Sequence, residues 1–213
     1  MDGNPGVTVD AGGGADDAPV SSVDSSESVD STLAVDTSAP EEEGSEASVV
    51  DSPTVKACTN CPLIAQYMAG SISDPTSDIS PHFQILNNGV VGEDISVVTL
   101  RYWYTEDGSM SQAFACDYTA LAGGCASISA TFVAMTTPTP TADHYMELSF
   151  ASGTIPGEGG STGPIQTRFH DSAYAAMMMQ SNDYSFDAAD STYTQSMQVT
   201  LYRSGMLVWG VEP

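Results

Sequence analysis

From Leu63 to the end of the chain, apolar and polar residues alternate in short runs that recur about every ten residues, each broken by Gly, Pro, Asn or Asp. Alternation places every second side chain on the same face of an extended strand, so each run can bury one face and wet the other. The clearest runs lie at 82–86, 95–104, 129–135, 145–150, 164–169 and 197–202. Helical spacing of apolar residues is hard to find anywhere in the chain. Many short strands at this interval predict an antiparallel sandwich or barrel. At the end of the chain, MQVTLY, then Arg203-Ser204-Gly205, then MLVWG predict a terminal hairpin.

The first part of the chain obeys different physics. Residues 1–55 carry 13 acids and no base, and every Trp, Tyr and Phe lies at or beyond Tyr67. A segment of this kind cannot bury enough apolar surface to offset its chain entropy, and like charges extend it. It is predicted to be a disordered acidic linker, with an acidic partner-binding tail as the other reading, ahead of a folded domain over 56–213.

The net charge of −24, with Lys56, Arg101, Arg168 and Arg203 as the only bases, excludes nucleic acid and anionic membrane surfaces, which need clusters of Lys and Arg. The longest apolar run, 173–179, has seven residues, against about 20 needed to span a bilayer. The opening MDGNPGVTVDAGGG has neither a basic nor an apolar export region, so the expectation is a piece of a longer protein. Four cysteines allow three pairings. Cys58 and Cys61 lack the partners of a zinc site or the βαβ setting of a redox motif, so the expectation is structural disulfides in a secreted protein. Glu93, Glu106, Glu147 and Glu158 lie in no glycosidase motif, no G-x-S-x-G is present, and His82, His144 and His170 show no metal-ligand spacing. Catalysis is not expected.

Several stretches are more specific. ISPHFQILNNG at 79–89, LRYWYTEDG at 100–108, CDY at 116–118, IQTRF at 165–169, QSNDYSFDA at 180–188 and LVWGVEP at 207–213 occur in the order and spacing of one family. Over 64–213 the chain resembles the family-3 carbohydrate-binding modules of cellulases and cellulosomal scaffolds. The resemblance implies an all-β, nine-stranded antiparallel jelly-roll sandwich with a bound calcium ion and a flat face that docks on cellulose. Crystalline cellulose presents planar rows of sugar rings, which a cleft cannot admit. Its binder needs aromatic rings that stack on successive sugars, flanked by polar groups for the hydroxyls.

By resemblance the docking strip contains Asp117, Tyr118, Arg168 and Tyr174. Asp117 and Arg168 pair beneath a sugar, and Tyr174 stands where strong binders usually carry Trp. The resemblance assigns the calcium ligands to the side chains of Asp107, Asn182 and Asp183 and the backbone oxygens of Thr105 and Met179, a hard-oxygen set suited to Ca²⁺. It also supports a Cys116–Cys125 disulfide. Two departures stand out: the loop TALAGGCAS after the CDY motif lacks an extra aromatic, and AAMMM at 175–179 replaces a polar stretch. The expected function is non-catalytic cellulose binding by a monomeric tethered module that targets an attached enzyme or scaffold. The alternatives are an enzyme-associated module guiding single glucan chains, or a protein-interaction module that lost sugar binding.

Overall fold

The structure is a computed structural model that describes residues 62–108 and 111–213. The acidic linker expected over 1–55, and Cys58 and Cys61, lie outside the described residues. Thirteen strands occur among the described residues: β1 (Leu63–Ala69), β2 (Pro81–Asn87), β3 (Glu93–Asp94), β4 (Val98–Tyr104), β5 (Gln112–Thr119), β6 (Ile128–Thr139), β7 (Ala142–Phe150), β8 (Thr154–Ile155), β9 (Gly160–Ser161), β10 (Ile165–Asp171), β11 (Thr194–Gln195), β12 (Val199–Arg203) and β13 (Met206–Trp209). Nine have four or more residues and four have two, so short bridging strands supplement the nine expected. No helix among the described residues is long and apolar enough to cross a membrane.

All strand pairs are antiparallel. One large sheet runs β11-β1-β2-β10-β5, with β9 also on β2, the other runs β13-β12-β4-β7-β6, and β3 and β8 form a separate two-stranded ribbon. The chain crosses from β2 to β4, back to β5, over to β6–β7, back to β10 and finally to β12–β13. This repeated crossing makes a sandwich of two sheets. The predicted hairpin forms as Arg203 pairs with Met206, leaving Ser204 and Gly205 as a two-residue turn with φ of 50° and 78°. Positive φ at both positions matches the twist of the flanking strands, and Gly205 adopts it without a Cβ penalty.

The strand expected over 95–104 begins only at Val98, because Ile95–Val97 forms a short 3-10 helix. Asp94 accepts hydrogen bonds from the Ser96 N–H at 2.9 Å and its hydroxyl at 2.8 Å. That local cap competes successfully with extended backbone.

The core lies between the sheets and is dominated by aromatic rings. Phe169 on β10 has its ring centroid 4.9 Å from Tyr104, 5.7 Å from Phe132 and 6.0 Å from Tyr102, all on the facing sheet. Tyr102 in turn packs against Tyr67 and Phe83 of the first sheet. Each such pair adds about 0.5–1.5 kcal/mol beyond its buried area.

One buried polar side chain ties loops to this core. Asn87 is 2 % exposed; its amide donates to Val91 O at 2.9 Å and Ile155 O at 3.1 Å, and its Oδ1 accepts from Gly89 N at 2.9 Å. Asn87→Ala strands a donor and two acceptors at once, and is expected to cost about 2–4 kcal/mol. The check is a lower urea midpoint with an unchanged slope; a loss below about 0.5 kcal/mol contradicts this role.

Candidate functional site

The outer face of β10 is set by its inner one. Ile165, Thr167 and Phe169 are buried between the sheets, so Gln166, Arg168 and His170 project from the other side. Edge strand β5 pairs with β10, with Gln166 opposite Tyr118 and Arg168 opposite Ala115. The register shifts between Gln166 and Thr167, leaving one extra residue on β5 between Cys116 and Tyr118. That residue is Asp117. A bulge of this kind re-aims side chains, and here both Asp117 and Tyr118 are exposed, Tyr118 at 51 %. Cys116 faces inward and is joined to Cys125 by a disulfide that ties β5 to the short 3-10 helix Gly124–Ser127.

Arg168 Nε lies 3.1 Å from Asp117 Oδ1. The N–H is not aimed at that oxygen, so the contact is an ion pair without a hydrogen bond. Both side chains are about two-fifths exposed, which limits the pair to about 0–1 kcal/mol. On the neighbouring strand, His82 pairs in register with Gln166. Burial holds the His82 imidazole below its ordinary pKa, with the negative charge of Asp117 opposing the shift.

Tyr174 lies just beyond the end of β10, 54 % exposed, with its ring stacked on His170 at 3.7 Å between centroids and 12° between planes. The structure therefore brings the four expected strip residues to one face of one sheet. The four-residue separation between Gln166 and His170 makes the strip roughly 13 Å long along β10.

The second group of expected residues sits where the 105–108 loop meets 179–183. Asp107 Oδ2 accepts from Met179 N–H at 2.5 Å, and Asp183 Oδ1 accepts from Thr105 N–H at 2.8 Å. Asp183 is buried, and its Oδ2 has no hydrogen-bond partner. Burial pushes the Asp183 carboxyl up to about 9; the Thr105 N–H bond opposes this, while the charges of Asp107, Asp74 and Asp143 add to it. A buried carboxyl in the field of three other acids, with one oxygen orphaned, is a setting that a positive charge relieves. Asn182 is exposed one residue earlier. Among the described residues no three His, Cys, Asp or Glu side chains converge on one point, so amide and backbone oxygens would have to complete a calcium site here.

Reasoning from sequence missed the supports of these groups. Gln180 is buried, its amide donates to Ser71 O at 3.1 Å and Ser73 O at 2.7 Å, and its backbone N–H donates to Asp74 Oδ1 at 3.0 Å. These contacts span more than 100 residues of chain and leave no local pattern. On the opposite sheet, Arg101 pairs with Glu147 at 2.7 Å and lies over the rings of Tyr145 and Tyr202 at 4.3 and 4.1 Å. Beside it Trp103, Met135, Tyr145 and Glu212 border a shallow groove of about 350 Å³.

Comparison with known proteins identifies the family of the folded domain. The family described as "Cellulose binding domain" matches residues 64–210. Cellulosomal-scaffolding protein A of Acetivibrio thermocellus is 41% identical over 158 residues, covering 71% of this chain and 8% of that protein. Endoglucanase A of Paenibacillus lautus is 38% identical over 156 residues, covering 72% of this chain and 22% of that protein. The chain thus spans less than a quarter of these curated relatives. Among solved structures, the module with flanking linkers from the cipA scaffoldin of Clostridium thermocellum is 39% identical with a TM-score of 0.65, over 72% of this chain and 92% of that one. A module of the scaffoldin ScaA from Acetivibrio cellulolyticus is 33% identical with a TM-score of 0.67, over 72% of this chain and 98% of that one. Through residues 64–210 the chain belongs to the family-3 carbohydrate-binding modules, a family of cellulose-binding domains.

Proposed function

We propose that the folded domain is a non-catalytic module that docks on cellulose through the outer face of β5 and β10, and that it brings a linked enzyme or scaffold to the polysaccharide outside the cell. The observation that carries this reading is the placement of Tyr118, the Asp117–Arg168 pair and Tyr174 on a single exposed face. Two half-exposed rings provide apolar surface for the C–H faces of sugars. Between them a planar guanidinium and a carboxylate can meet hydroxyl groups at the same level. Such an apolar strip is otherwise unusual on a protein surface.

Asp107, Asn182 and Asp183, with the backbone oxygens of Thr105 and Met179, would hold calcium at the other end of the 172–183 segment. When bound, the ion would supply the positive charge that this acidic pocket lacks. The residues themselves tie two loops together, through the Asp107–Met179 and Asp183–Thr105 bonds.

Depletion of the protein by microcrystalline cellulose tests the docking face. Each ring contributes on the order of 1–2 kcal/mol of apolar contact, so Tyr118→Ala/Tyr174→Ala is expected to weaken binding by at least tenfold. Wild-type protein that remains in solution ends the reading. Weak partitioning would favour guidance of single glucan chains, in keeping with the short loop that follows Tyr118, residues 119–127, which carries no further aromatic residue.

Calcium is tested by melting. At a hundredfold excess over its Kd the ion is expected to raise the wild-type melting temperature by roughly 5–10 °C. Asp183→Asn should melt no lower than wild type in chelator, because it removes a carboxyl that must take up a proton to be buried near neutral pH, and should gain little from calcium. A wild-type melting temperature indifferent to chelator overturns the calcium assignment.

A further inference from the structure

Tyr174 has a backbone that few non-glycine residues adopt, with φ of 51°. What holds it there is compact. Asp171 Oδ1 accepts from the N–H groups of Ala173 at 2.9 Å and Ala175 at 3.2 Å, on either side of Tyr174. The backbone oxygen of Asp171 accepts the Tyr174 N–H at 2.9 Å. His170 Nδ1 lies 2.7 Å from that same oxygen. A carbonyl oxygen can only accept, so Nδ1 carries the hydrogen and the imidazole orientation is defined.

One backbone oxygen therefore locates both rings: the imidazole through its Nδ1–H and the phenol through its backbone N–H. The result is the parallel stack, with His170 9 % exposed beneath and Tyr174 54 % exposed above. One face of the phenol is filled by imidazole, and only the other is available to a ligand. A ring held in this way loses little freedom when a ligand settles on it. It also offers a single open face, which suits a surface better than a chain gripped from two sides.

We propose that His170 is a positioning residue for cellulose docking, acting as the floor that holds the Tyr174 ring in place. This rests on the docking reading above. The floor needs a flat ring at position 170, so the two features of histidine can be separated. His170→Phe keeps a ring without the N–H, His170→Asn keeps an N–H donor near the Nδ1 position without the ring, and His170→Ala removes both.

Binding isotherms on microcrystalline cellulose, melting temperatures and the NMR shifts of the Tyr174 ring protons, assigned with Tyr174→Ala, make the test. His170→Ala and His170→Asn are expected to weaken binding roughly three- to tenfold, the range for freeing one ordered side chain. His170→Phe should stay within about twofold of wild type. The Tyr174 ring protons should move in the Ala and Asn variants, where the shielding ring is lost, whether or not cellulose is present. Unmoved ring protons in His170→Ala, or a His170→Phe variant as weak as His170→Ala, overturn the proposal. If His170→Ala does not fold, the contrast between Phe and Asn decides it by the same criterion. Wild-type protein that ignores cellulose overturns the docking reading and this role together. Wild-type binding with an indifferent His170→Ala overturns this role alone.

Discussion

The Phe169 ring, packed among Tyr102, Tyr104 and Phe132, is the contact on which the rest of the molecule depends. It joins the two sheets at their centre. It also fixes the facing of β10, because a strand with Phe169 inward must turn Arg168 and His170 outward. A one-residue slip would bury a guanidinium and expose the ring, so the core itself enforces the arrangement of the outer face. The candidate docking residues are thus held by a rigid element instead of a loop, and Tyr174, the one strip residue beyond the strand, is drawn back onto it by the stack with His170.

The two acidic features of the domain differ in energetic weight. Asp117 and Arg168 remain partly hydrated, so their pairing does little for stability and serves mainly to set geometry. Asp183 is buried with one oxygen unpaired among other acids, and its environment opposes its charge. The first pair could be lost from the fold at small cost. The second feature leaves an electrostatic cost at the join between the 105–108 and 179–183 loops.

Alternation alone was enough to read most of the strands, because one buried face imposes a period of two on the sequence. It failed at Ile95–Val97, where the Asp94 cap favours a turn although the side-chain pattern continues. The terminal hairpin was legible because Ser204-Gly205 permits positive φ at both turn positions. Asp117, Tyr118, Arg168 and Tyr174 were legible only through motif resemblance. No local pattern reveals that a bulge will set Asp117 and Tyr118 outward together, since that depends on register with β10. The His170–Tyr174 stack was equally hidden, for it requires a left-handed backbone at a tyrosine and an oxygen shared by two donors. Gln180 reads as an ordinary polar residue until the chain near Ser71 folds back over it.

The candidate docking strip lies on β10 and β5, and β5 has no further partner strand among the described residues. A straight strand there would offer another polypeptide a regular row of free N–H and C=O groups, and a flat apolar surface beside it would add to the attraction. The irregularity at Asp117 interrupts that row between Cys116 and Tyr118. The kink that aims two side chains outward thus also makes this edge a poorer template for another strand.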